Sequence, residues 1–353
     1  MQKYTFFEKI LHKQFLGETS LSHFLYERII KKADCNRKYN HQNNVFITGL
    51  ARSGTTALLN KIYSSGEIPS LLYKYMPFIL SPKLAHFFSK KVNSSYALEY
   101  TERYHNDGIK ISNNSPECLD EVYWMKSNPE YIQKDFIKNI NITDLQLNGY
   151  GLFLSNYANL NDSNRILIKN NNHHLRINKL SSYFPKSYFL IMMRDPISHA
   201  ESLLKQHLNF LYLQKIDPFI LQYMNLIGHF EFGFNSKSFV YKSEENNWYE
   251  NLNKCKIEYW LLQWIQTYKW ILNSNFLINN NVFIISYEKL CKWENLYPKI
   301  CKLIDIKNYK SGVPFILSNK ENNNLISSNI NNEVIDMAYD IHNKLNKFSI
   351  SKD

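Results

Sequence analysis

The chain has 353 residues, 44% of them hydrophobic and 15% aromatic, and a formal net charge of +11. That length and apolar content allow one large packed domain, with or without insertions, and exclude a disordered polypeptide. The basic balance suits an anionic ligand; nucleic acid is the weaker candidate, because the sequence has no zinc-finger spacing, no RNA-recognition signature and no long Lys/Arg run.

Residues 1–40 read as helical. Within them Phe6, Phe7, Ile10, Leu11, Phe15 and Leu16 recur at helical spacing, with Lys3, Lys9, His12 and Lys13 opposite. Core packing explains such a stripe more readily than contact with a membrane surface. After a polar break over 36–44, Val45, Phe46 and Ile47 have the character of an interior parallel strand, and Ala57, Leu58 and Leu59 begin a helix. Between them lie Gly49, Arg52, Ser53, Gly54, Thr55 and Thr56. Glycine allows a sharp turn and close approach to a ligand, and the first N–H groups of a helix are unpaired at its positive end, so this turn is an anion cradle. The spacing from Gly49 to Thr56 is that of the nucleotide P-loop, G-x-x-x-x-G-K-[ST], except that Thr55 takes the lysine position and the nearest fixed cation is Arg52.

The helix is expected to stop at 64–66. Pro69, Pro77 and Pro82 then divide a stretch that reads as a wall beside the cleft. Residues 85–164 read as mostly helical, with one polar patch holding Glu102, Arg103, His105 and Asp107, then SPECLDEVYW from Ser115 to Trp124. Ser115 as N-cap and Pro116 at the first position predict a helix opening there, with Glu117 and Glu121 on one face. Those acids either satisfy the helix dipole or, like His105, face an acceptor.

Residues 165–168 form an expected strand ending in Lys169, followed by Asn170, Asn171, Asn172, His173 and His174. A further strand over 187–193 runs into RDPISHAES, where Asp195 can cap a helix with Pro196 at its first position, leaving Arg194 at the strand's carboxyl end. Ser198 and Ser202 share a face of that helix. Ligands of open α/β sheets bind beyond the carboxyl ends of the strands, where Arg52, Lys169 and Arg194 all stand. Residues 207–280 read as helices with Trp260, Trp264, Tyr268 and Ile271 packed inward, 282–290 as a strand passing into a helix, 319–332 as a polar loop and 334–345 as a closing helix. The fold class is α/β: a P-loop NTPase-like parallel sheet flanked by helices. The chain is expected to be a single domain, 1–353, with an N-terminal helical segment (1–40) and helical insertions (85–164 and 207–280) on the acceptor side.

The five cysteines, Cys35, Cys118, Cys255, Cys291 and Cys301, contain no C-x-x-C pair and read as reduced thiols. No apolar run approaches the ~20 residues of a bilayer span, and residues 1–20 lack a signal-peptide core, so a cytoplasmic location is expected, with at most peripheral membrane contact.

The string RSGTT after a strand resembles the 5′-phosphosulfate loop of sulfotransferases that use 3′-phosphoadenosine 5′-phosphosulfate (PAPS). The Arg-x7-Ser spacing of Arg194 and Ser202 resembles that family's 3′-phosphate site, KNNNHHLRI with YFP resembles the segment before it, and Tyr287-Glu-x-Leu is similar to a segment whose tyrosine lies near the nucleotide. The matches cover 45–63 and 165–206. The resemblance implies PAPS as donor, with Arg52, Ser53, Gly54, Thr55 and Thr56 at its 5′ end, Arg194 and Ser202 at its 3′-phosphate and Tyr287 nearby. Sulfuryl transfer then needs a cation at the leaving oxygen, for which Arg52, with Lys169, is the choice, and a base for the acceptor proton, for which His105 and Glu117 are the candidates with Asp107 and Glu121 in reserve; it requires no metal. The expected acceptor is a hydroxyl of a glycan or glycolipid. Two other readings keep the anion site: a non-catalytic nucleotide- or anion-binding module, and an atypical P-loop nucleotide kinase, against which the missing lysine counts.

Overall fold

The computed structural model describes residues 4–35, 38–40, 42–92, 101–102, 109–139, 141–241, 248–309, 315–316 and 330–351. The chain opens with α1 (Phe6–Leu16) and α2 (Ser20–Ala33), each started by a threonine capping box. Then come β1 (Val45–Thr48), α3 (Thr55–Tyr63) and α4 (Pro82–Val92). A pair of two-residue strands, β2 (Thr101–Glu102) and β3 (Lys110–Ile111), precedes α5 (Glu121–Ser127), β4 (Phe136–Lys138) and α6 (Asp144–Asn159). The second half runs β5 (Leu167–Lys169), α7 (Ile177–Tyr183), β6 (Tyr188–Met193), α8 (Pro196–Ile216), α9 (Pro218–Leu226), β7 (Ser238–Val240) and α10 (Ile257–Leu272). It ends with β8 (Val282–Ser286), α11 (Tyr287–Lys292), α12 (Leu296–Leu303) and α13 (Asn332–Phe348).

Four strands form a parallel sheet in the order β5-β1-β6-β8. β1 lies inside it, with Ile47 level with Lys169 on one side and Thr48 level with Ile191 on the other. All four strands are apolar because helices cover both faces. On one face Val45, Ile47, Leu167, Leu190 and Ile285 meet α3 and α12; on the other Phe46, Ile168, Phe189 and Ile191 meet a larger core that includes the buried Trp260, Trp264, Tyr268 and Ile271 of α10. The expected parallel α/β sheet is therefore present.

Three expectations need correction. The helix foreseen at Ser115 starts at Glu121 with Asp120 as N-cap. Ser115 to Glu117 are instead extended against 71–73: the Tyr73 N–H donates to the Ser115 carbonyl at 3.2 Å and the Glu117 N–H to the Leu71 carbonyl at 3.0 Å. A pairing across more than forty residues of sequence overrides the local Ser-Pro signal. The regions 85–164 and 207–280 are not purely helical either, since β4 and β7 pair in parallel and tie them together. Finally, only part of the N-terminal stripe is core: Leu16 is buried, whereas Phe6 is 80% and Phe7 67% exposed.

Candidate active site

The turn between β1 and α3 carries three residues with left-handed backbone: Gly49 (φ 129°), Arg52 (φ 71°) and Gly54 (φ 98°). At Gly54 this conformation is coupled to a close approach, because a Cβ there would lie 2.4 Å from the ring of Tyr287. Gly54 is also the N-cap of α3, so no side chain caps that helix and its dipole end faces the sheet's carboxyl edge. The Thr55 hydroxyl donates to Asn171 Oδ1 at 3.3 Å, and the Thr48 hydroxyl to the Asn171 carbonyl at 3.2 Å. Ser53 is fully buried beneath the turn.

Helix α8 clasps this turn from the β6 side. Asp195 accepts from the Ser198 N–H at 2.9 Å and Pro196 is the first helical residue, as its sequence predicted. Arg194 Nη1 donates to the Arg52 carbonyl at 3.3 Å, His199 Nε2 donates to the Ala51 carbonyl at 2.7 Å, and Arg52 Nε donates to the Ser202 hydroxyl at 3.2 Å. Burial, aided by the charges of Arg194 and Arg52, pushes the His199 pKa down to about 3 and keeps the ring neutral. Tyr287 completes the cluster: its ring lies 5.9 Å from the Arg194 guanidinium, and burial raises its phenol to about 12. Arg52, Gly54, Arg194, Ser202 and Tyr287, separated by up to 235 positions, thus form one cationic cluster.

A second cluster stands at the end of β5. Lys169 Nζ lies 3.1 Å from Glu117 Oε1, and both side chains are only 6% exposed. Glu117 Oε2 accepts from Tyr73 at 2.9 Å, and Oε1 accepts from the Cys118 N–H at 2.8 Å. Since Lys169 is level with Ile47, one residue before the end of β1, this pair stands beside the base of the turn.

The acids on the neighbouring helix have a different task. Glu121 takes both guanidinium nitrogens of Arg176 at 2.7 and 2.8 Å, with further donation from Tyr131 and Asn170. Burial opposes ionisation of Glu121, but the Arg176 charge and these donors outweigh it and hold the pKa at about 2. Asp120 is buried with it, accepting from Tyr150 at 2.7 Å and facing His173 at 3.1 Å. Glu121, a reserve candidate for the base, is therefore a structural ion-pair partner. His105, Asp107 and Arg103 lie outside the described residues.

Sequence reasoning gave no role of their own to Tyr73, Asn171, His199 and Arg176. It also missed the segment after α9, where Glu231 accepts from Asn171 Nδ2 at 3.1 Å and His229 meets the Cys118 carbonyl at 3.2 Å. The run Asn170 to His174 was the only available signal for this layer. Among the described residues no group of three or more His, Cys, Asp or Glu side chains is placed to hold a metal ion, and no helix is long and apolar enough to cross a membrane.

The profile of the sulfotransferase family matches residues 44–226, which is just over half of the chain and contains both clusters except for Tyr287. The chain belongs to the sulfotransferase family. Among solved structures it is similar to sulfotransferase STF9 from Mycobacterium avium, at 13% identity and a TM-score of 0.51, covering 96% of this chain and 84% of that one. Sulfotransferase STF1 from Mycobacterium tuberculosis H37Rv is found as well, at 11% identity and a TM-score of 0.47, covering 90% and 82%. At such identities the likeness to STF9 bears on the fold, which is the P-loop-like α/β fold expected from the turn. No curated protein sequence matches the chain.

Proposed function

We propose that this sulfotransferase moves a sulfuryl group from PAPS to a hydroxyl of a glycan or glycolipid. The observation that carries the donor assignment is the meeting of Arg52, Ser202 and Arg194 at the uncapped start of α3. PAPS has anionic groups at both ends of its nucleoside, and the family match spans both elements that would hold them. In this reading the N–H groups at Ser53–Thr56, the hydroxyls of Thr55 and Thr56, and Arg52 receive the 5′-phosphosulfate. Arg194 and Ser202 receive the 3′-phosphate, and Tyr287 lies against the nucleotide.

Transfer forms a bond from the acceptor oxygen to sulfur and breaks the bond from sulfur to the phosphate oxygen. The acceptor proton passes to Glu117, and the electron pair stays on the departing phosphate, where Arg52 and Lys169 stabilise it. Glu117 fits the base role because it is an acid beside the turn whose partner is a lysine, whereas Glu121 is committed to Arg176. Positioning and fixed cations supply the remaining acceleration, as in phosphoryl transfer.

Calorimetry with adenosine 3′,5′-bisphosphate and with ATP tests the donor site. The bisphosphate should bind tightly and ATP weakly, and the reverse order would favour a kinase. Transfer of label from radiolabelled PAPS to glycan or glycolipid extracts tests catalysis, and a chain that binds the bisphosphate yet transfers to no hydroxyl acceptor would be a binding module.

A further inference from the structure

The face formed by α1 and α4 is, we propose, a docking surface for an anionic lipid bilayer. Helix α1 is held along one side only. Tyr4 stacks on Tyr223 of α9 at 5.5 Å and meets Phe219 edge-on at 5.1 Å, while His12 and Leu16 are buried. On the other side Phe6, Ile10 and Lys13 follow at i, i+4 and i+7, flanked by Phe7, and all four are exposed.

Helix α4 repeats this chemistry, with Leu84, Phe87 and Phe88 exposed beside Lys83 and Lys90, and it contains no acidic residue. The two helices are joined by a ladder of rings: Phe15 of α1 meets Phe78 at 4.7 Å, and Phe78 stacks on Phe88 at 4.5 Å. Exposed aromatic and aliphatic groups ringed by lysines suit a bilayer whose interior takes the apolar side chains and whose headgroups take the charges. The single acid of α1, Glu8, is exposed and caps its own helix start, accepting from the Thr5 N–H at 2.7 Å.

The elements that carry this face lead to the Glu117–Lys169 pair through the residues on which they pack. Helix α4 packs on residues 73–75, and Tyr73 donates to Glu117. Tyr223, on which Tyr4 stacks, lies within electrostatic reach of Glu117. Resting on the sulfotransfer reading above, this places a membrane-embedded acceptor, the glycolipid of the two classes, on the side of the base.

The test sediments the full chain with vesicles of equal parts phosphatidylcholine and phosphatidylglycerol, and with phosphatidylcholine alone. Partition should be at least about tenfold stronger to the anionic vesicles and weaken with added salt. The Phe6→Ser/Phe7→Ser double variant should lose about tenfold in partition with an unchanged circular dichroism spectrum and unchanged affinity for adenosine 3′,5′-bisphosphate. Equal partition of the variant and the wild type overturns the proposal, as does wild-type chain that stays in the supernatant. A concentration-dependent dimer that the same substitutions abolish overturns it as well, by giving the face to a second copy. Vesicle binding needs no donor, so its failure is separable from a failure of sulfotransfer.

Discussion

At Arg52 a charged side chain stands on left-handed backbone, a conformation that costs a non-glycine residue about 1–3 kcal/mol and persists only when its surroundings hold it. Here the holders are Arg194, on the Arg52 carbonyl, and Ser202, on its Nε. Removing the guanidinium should leave the backbone clasp intact and the chain folded, so Arg52→Ala is expected to lose transfer by about 10²–10³-fold with little change in thermal midpoint. Arg194→Ala removes both a cation and a clasp of the turn, and affinity for adenosine 3′,5′-bisphosphate should fall about 10–100-fold by calorimetry. Wild-type affinity in that variant would remove Arg194 from the donor site. The two glutamates should differ in the readout they move most. Glu117→Gln keeps a hydrogen-bonding side chain beside Lys169 but removes its counter-charge, so it should cost some stability as well, and the protein that stays folded should turn over about 10²–10⁴-fold more slowly. Glu121→Gln leaves Arg176 buried without its counter-charge and should destabilise the chain by about 3–5 kcal/mol in denaturant unfolding.

The β1–turn–α3 element was legible because everything that defines it is local: an apolar strand, glycines at the turn and helix formers after it. The same holds for β6 with its Asp195-Pro196 helix start. The α5 start was misread because the competing interaction, extended pairing of 115–117 with 71–73, is non-local and leaves no periodic trace. Arg176 and His199 were invisible for a related reason: a charged or titratable side chain near a helix start reads as surface until the element packed over it is known, and both are buried. Tyr287 was named from its likeness to a family segment, but its contact with Gly54 across the sheet edge is a tertiary fact. That contact sets a prediction. Gly54→Ala places a Cβ against the Tyr287 ring at a φ that disfavours side chains, so it should cost about 1–3 kcal/mol of stability and weaken bisphosphate binding. Trimming the ring in Gly54→Ala/Tyr287→Leu should recover part of the stability, because the backbone strain remains while the collision is relieved; a double variant no more stable than Gly54→Ala would show that the ring contact is not the cause.

Among the described residues several histidines are drawn inside. Burial lowers the pKa of His199 to about 3, and of His174 and His207 to about 4, and it also lowers His12 and His342. Each is neutral in the folded chain at pH values where the unfolded chain, with histidines near 6.5, is protonated. Their contribution to stability is therefore complete above pH 6.5 and is lost as pH falls towards the folded values, at about 1.4 kcal/mol per pH unit for each group. Glu121 adds a lower window, because its depressed value of about 2 protects the fold until its unfolded carboxyl, near 4.5, begins to take up protons. With three to five such histidines acting together, the chain should lose stability steeply between about pH 6.5 and 4, above the range in which carboxylates alone would unfold it. Thermal unfolding followed across that range, with proton uptake measured in buffers of different ionisation enthalpy, should show about three to five protons bound on unfolding near pH 5.5. Uptake near zero there would mean that these rings are already protonated in the fold. In that case His199 would be charged beside Arg52 and Arg194, and the cluster would carry three positive charges rather than two.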